Sequence, residues 1–248
     1  AVSSNIANII AAFPEANQTT VTTYLISIPC LIVIPMTLIT GRLMRSIPKK
    51  TLMLIGVLLW LVGGVLPFFM NSLNMILVMR VIFGIGLGMV QSLCAALVVE
   101  NFEDSNERGK IMGNMTAFQM LGAIIFSLVA GNLGTISWHV AFLVHLMAII
   151  SLIATIVCIP YKKPEKVTES GEKVKFKPTG MMWVWCIAFF VYMIAGQTYS
   201  NTASSIITEL NLGGSAAAGY SLALFALGGL IMGFVFGKVL GACKRMTL

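Results

Sequence analysis

Eight apolar runs, broken only by short polar segments, dominate this chain. They occupy residues 1–12, 20–40, 51–70, 74–99, 111–133, 138–160, 181–201 and 216–237. A helix needs about 20 apolar residues to cross a hydrocarbon core of roughly 30 Å, and seven of the eight runs reach that length. In lipid, every backbone polar group must be satisfied within the segment, which leaves helices or closed barrels. The runs do not alternate between apolar and polar residues, which argues against barrel strands. The expected fold is therefore an all-α polytopic membrane protein. Composition agrees: of 248 residues, 58% are hydrophobic and 10% charged, against roughly 25% charged in soluble domains.

The first run is the exception. Its twelve residues would rise only about 18 Å as a helix. No basic segment precedes it, so it does not read as an intact signal peptide. The chain reads as a truncated piece that starts inside a span and stops shortly after the eighth. The expected organisation is a bundle over 1–160 with an incomplete first span, a polar linker over 161–180, and the start of a second bundle over 181–248.

Basic residues set the expected orientation. Arg42, Arg45, Lys49 and Lys50 follow the second run, Arg108 and Lys110 the fourth, six lysines the sixth, and Lys238, Lys244 and Arg245 the eighth. These segments all fall on one side and hold 15 of the 16 basic residues. By the positive-inside rule that side is cytoplasmic. The formal charge of +7 is thus a topology signal, and no nucleic-acid partner is expected. The five cysteines (Cys30, Cys94, Cys158, Cys186, Cys243) are scattered singly, so neither a metal site nor a disulfide framework is expected.

A gapless shift of 196 residues superposes the first two runs on the last two. Ser4, Asn5, Ala7 and Ile10 then meet Ser200, Asn201, Ala203 and Ile206, while Tyr24, Leu31, Met36 and Gly41 meet Tyr220, Leu227, Met232 and Gly237. Repeats in the same orientation imply two parallel six-span bundles.

The loop after the second run reads Gly41-Arg42-Leu43-Met44-Arg45-Ser46-Ile47-Pro48-Lys49-Lys50. It resembles the signature loop of the major facilitator superfamily, which runs Gly, any, Leu, any, Asp, Arg, any, Gly, then two basic residues. Gly41, Leu43, Lys49 and Lys50 match; Arg45 replaces the Asp and Pro48 the second Gly. Arg80 with Gly84 and Gly88 resembles the family's Arg-x-x-x-Gly element in span four. Glu107-Arg108-Gly109-Lys110 with Gly113 is similar to the loop before span five. Trp138, Ala141 and Phe142 resemble the opening of span six, with His139 where Arg is common. Drug exporters of the family carry Gly-Pro-x-x-Gly-Gly in span five; here Gly122 and Gly131 remain, while Phe126-Ser127 and Ala130 depart.

The resemblance implies a parallel repeat of six-helix bundles and a transporter of the drug- or metabolite-exporting kind. Half of the first span and spans nine to twelve would then be missing. The expected function is secondary active transport of small solutes by alternating access, coupled to protons. It would be an antiporter working in efflux at the cell membrane, with no cofactor and no enzymatic chemistry. The alternative is a non-transporting sensor or scaffold of the same fold.

Residues within the runs supply the candidates. Arg80 is the one basic residue inside a span, and a charge in hydrocarbon costs about 2.5–3.5 kcal/mol. At 100° per residue it shares a face with Gly84, Leu87 and Gln91. It is expected either in the cavity, binding an anion or supporting coupling, or snorkelling to the interface. Asn5, Asn8, Gln91, Gln119, Tyr192, Gln197 and Asn201 are polar at membrane depth and are expected to face the bundle interior. They would touch substrate or bond neighbouring helices. The cytoplasmic gate is expected from Gly41, Leu43, Arg45, Lys49, Lys50, Glu100 and Arg108, with Glu100 paired to Lys49 or Arg45 or left solvated. Glycines at Gly84 and Gly88, and at Gly229, Gly233, Gly237 and Gly241, form ladders suited to close helix packing. His145 and His139 are expected as structural residues.

Overall fold

The computed structural model describes residues 2–14, 18–162 and 180–243. Among them eight α-helices follow one another: α1 (Val2–Ala12), α2 (Gln18–Leu43), α3 (Lys49–Val65), α4 (Leu73–Asn101), α5 (Ser105–Leu133), α6 (Ala148–Cys158), α7 (Gly180–Glu209) and α8 (Ser215–Cys243). No strand occurs among the described residues. Among the described residues, six stretches are long and apolar enough to cross a membrane: Tyr24–Leu43, Lys49–Phe69, Leu73–Asn101, Glu107–Leu133, Val140–Cys158 and Ser215–Met232. The chain is an all-α polytopic membrane protein. Most of the linker expected over 161–180 lies outside the described residues.

Two expectations about the spans need correction. The sixth is not one α-helix. It opens with a 3₁₀ segment, Val140–Met147, and becomes α-helical only at Ala148. The seventh does not end near residue 201 but runs to Glu209. Hydropathy fades in its last turns, yet the first stop signal lies further on. Asn211 adopts φ 53°, and a Schellman pair closes the end: Leu212 N donates to the Ile207 carbonyl and Asn211 N to that of Thr208.

Glycine decides how the helices stack. α4 lies between α2 and α3 and offers each a separate glycine edge. A Cβ at Gly84 would sit 2.8 Å from the Pro29 carbonyl oxygen of α2, and one at Gly88 2.9 Å from Met36 Cβ. On the α3 side, a Cβ at Gly86 would overlap the backbone of Trp60, and one at Gly63 would lie 2.7 Å from the Met79 carbonyl oxygen. Lipid gives helices little hydrophobic reason to associate, so such backbone approach and its dispersion contacts carry the packing.

The basic end is tied by side chains that meet helix ends. Asp104 caps α5 by accepting from Glu107 N at 3.0 Å. Arg108 donates to the Phe102 carbonyl at 2.9 Å and the Val99 carbonyl at 3.3 Å, neutralising the exposed C-terminus of α4. Lys50 Nζ reaches the Ile156 carbonyl at 2.7 Å. At the opposite end, the Phe13 and Trp138 rings meet edge-on at 5.8 Å. There His139 Nε2 also bonds Asn71 Oδ1 at 3.0 Å.

Candidate functional site

Arg80 enters the bundle from the outer third of α4, the end opposite the basic loops. Only 2% of it is exposed, and it does not snorkel to the surface. One Nη atom donates to the Gly63 carbonyl of α3 at 3.3 Å. The guanidinium lies over two rings, 4.9 Å from the centre of Phe83 and 5.1 Å from that of Phe142. Its Nε has no hydrogen-bond partner. The single ion pair among the described residues is elsewhere, so aromatic faces stand where a carboxylate would otherwise be.

The same cluster holds His145. Its ring is 5.3 Å from that of Phe83 and 5.9 Å from that of Phe126. His145 Nδ1 bonds the Phe142 carbonyl at 2.9 Å. Gly64 makes room for it, since a Cβ there would lie 2.6 Å from His145 Cγ. His145 is a packed structural histidine.

Asn5 and Asn8 of α1 both face α5. Asn5 is 1% exposed, and its Nδ2 donates to the Ala130 carbonyl at 2.8 Å. The absence of a side chain at Gly134 leaves room for the Asn5 amide. Asn8 Nδ2 donates to the Gly134 carbonyl at 3.1 Å. The opposite edge of this stretch of α5 receives α8: Ser215 Oγ donates to the Gly131 carbonyl at 3.1 Å. A Cβ on Gly131 would lie 3.0 Å from Gly219 Cα. α7 joins through Ser204 Oγ, 3.4 Å from the Ser4 carbonyl.

Gln91 and Gln119 do not face a packed interior; both are exposed. Gln91 does lie on the Arg80 face of α4. By its level, α2 and α3 occupy the flanks through Gly88 and Met89, and nothing described covers the stripe between them. The surroundings of Tyr192, Gln197, Asn201, Gly233 and Gly237 lie outside what the structure describes, although their backbones belong to α7 and α8.

At the basic end Lys49 Nζ pairs with Glu100, as one of the two expected partners, while Arg45 is exposed. Gly41 has no atom within 4 Å of a would-be Cβ, and Leu43 packs on the cluster of Leu52, Met53, Val57, Met89 and Leu93. Gly229 meets the Met120 side chain at 3.0 Å rather than a backbone. The close crossing of α8 is instead at Gly219, which the ladder reading missed. Phe83 and Phe142 were also missed as partners of Arg80. The aromatic at three residues from Arg80 was the available signal for Phe83, whereas Phe142 is distant in sequence.

The major facilitator superfamily model matches residues 1–247. Multidrug resistance protein 3 of Bacillus subtilis (strain 168) is 25% identical over 172 residues, 68% of this chain and 33% of that protein. The chain thus aligns with about a third of that relative's length. With its whole-chain match and its apolar, membrane-length helices, the chain belongs to the major facilitator superfamily, a family of multi-pass membrane transporters.

Proposed function

We propose that the protein carrying this chain is a secondary active transporter that moves small solutes by alternating access, driven by a proton gradient. The observation that carries the proposal is Arg80: a buried guanidinium with no acidic partner among the described residues. A charge at membrane depth is costly, which makes such a residue a functional candidate by default. The solute path follows the α4 face from Arg80 past Leu87 to Gln91. Asn5, Asn8 and Gln119, with Tyr192, Gln197 and Asn201 of α7, are the further candidates for solute contact. Contacts of Asn5 and Asn8 with α5 support closure at the end opposite the basic loops, and exposed Gln91 supports opening toward them. With the basic loops in the cytoplasm, as the positive-inside rule favours, that opening faces the cell interior. The name of the Bacillus relative supports outward transport of drug-like solutes.

The test reconstitutes the full-length protein in liposomes with an imposed proton gradient. Ethidium and chloramphenicol serve as a cationic and a neutral probe. Gradient-dependent flux of either, abolished by a protonophore, is the expected result. Equal flux with and without the gradient contradicts coupling. Absence of flux for both favours the second reading, a sensor or scaffold that kept the fold. That reading draws on Arg45, which stands where the family's loop carries an Asp.

A further inference from the structure

Arg80 is held by two rings of different origin. Phe83 belongs to α4 and moves with it. Phe142 belongs to the 3₁₀ segment Val140–Met147 that opens the sixth span. Runs of 3₁₀ longer than three or four residues are uncommon, and inside a helical span they often mark a strained or functional place. At three residues per turn, positions three apart eclipse. That aligns Phe142 with His145: their rings are 6.5 Å apart and 22° from parallel, and His145 Nδ1 bonds the Phe142 carbonyl at 2.9 Å. His145 is in turn lodged against Gly64, next to the Gly63 carbonyl that accepts from Arg80. The 3₁₀ geometry, His145 and the paired glycines thus fix one ring, 1% exposed, over the guanidinium.

We propose that Phe142 is the positioning residue for Arg80 during transport, presented to it by the 3₁₀ segment. The inference rests on the transport reading of Arg80 given above and adds the element that sets its place. Phe142 touches no solute in this account. It acts by attracting the cation electrostatically and by excluding water from it.

The experiment uses the full-length protein with nitrogen-15-labelled arginine, and Arg80→Lys identifies the Arg80 Nε–H resonance by removing it. In the wild type that resonance should be shifted upfield by ring currents. Phe142→Leu should return it toward ordinary arginine, and Phe142→Tyr should keep it. Val144→Ala opens a cavity on the same segment, on the Ala130 side, and should leave the shift in place. Gradient-driven flux is measured with whichever probe the wild type transports. Phe142→Leu should lower the maximal rate about ten-fold, with the KM changed less than about two-fold. In an Arg80→Lys background the same substitution should cost nothing further. An Arg80 resonance unmoved by Phe142→Leu overturns the proposal, and so does an undiminished loss in the Arg80→Lys background. Wild-type flux in Arg80→Ala is a different failure, that of the transport reading itself, because the resonance decides positioning without any solute.

Discussion

Arg80 and Gln91 occupy one face of one helix, eleven residues apart, yet their surroundings are opposite. Around Arg80 the face is closed: α3 supplies a carbonyl, the 3₁₀ segment supplies Phe142, and α1, α2 and α4 meet in the cluster of Ile6, Ile9, Val21, Leu25 and Ile76. Around Gln91 the flanking helices still pack on the glycine edges, but nothing described lies across the stripe. The two side chains differ in surroundings because a helix face becomes interior only where other elements cross it. The contrast also separates two kinds of polar group at membrane depth. A buried guanidinium demands compensation and receives aromatic faces, whereas an exposed amide leaves a surface that a solute can wet.

The largest expected difference between the two ends is in transport. Arg80→Ala should reduce gradient-driven flux by at least about 100-fold, on the order of 3 kcal/mol in the barrier. Gln91→Ala should cost only a few-fold, as loss of one amide contact does. Equal effects would erase the distinction. The next is accessibility. A cysteine in place of Gln91 should react with a water-soluble maleimide from the basic-loop side at least about ten times faster than one in place of Leu73, near the closed end, reacts from the other side. Cysteines at residues 46 and 170 should label from the cytoplasm and one at residue 17 only from outside; the reverse would overturn the orientation.

Smaller effects should come from the elements that hold the ends. Asn5→Ala removes the donor to the Ala130 carbonyl, worth about 1 kcal/mol. It should therefore raise outside labelling near Leu73 about five-fold as the closed end loosens. No change would mean that the Asn5 bond to α5 does not hold the closed end. The Lys49–Glu100 pair is half-exposed on its acidic side, with relative exposures of 29% and 49%, so its contribution is about 0–1 kcal/mol. Lys49→Glu should lower thermal stability in detergent slightly, and adding Glu100→Lys should restore it.

Much of this architecture was legible before any coordinates. Run length and the one-sided basic residues yielded the spans, the odd length of the first included. The place of Glu100 at the end of the fourth run offered Lys49 or Arg45 as its partner, or neither, of which the structure takes Lys49. The cost of charge in lipid singled out Arg80. What stayed hidden depends on partners distant in sequence. Phe142 lies 62 residues from Arg80, and no local pattern announces a 3₁₀ turn that aims it back. Gln91 was expected inside because periodicity specifies a face and not what covers it. Gly84 and Gly88 read as one ladder and both meet α2, but Gly86, pointing some 200° away from each around the helix, serves a second neighbour, α3, that the ladder did not announce. The end of α7 was misplaced because hydropathy weakened before the Asn211 stop signal was reached.

The central claim is that Arg80 works as a planar, multi-donor cation lodged between rings. The most direct measurement compares gradient-driven flux of wild type, Arg80→Lys and Arg80→Ala in the full-length protein, at equal amounts in the membrane. Lysine keeps the charge but neither the planar fork that bonds the Gly63 carbonyl nor the flat face that stacks on Phe83 and Phe142. The account predicts that Arg80→Lys transports below about a tenth of the wild-type rate, close to Arg80→Ala. Wild-type flux in Arg80→Lys would contradict it.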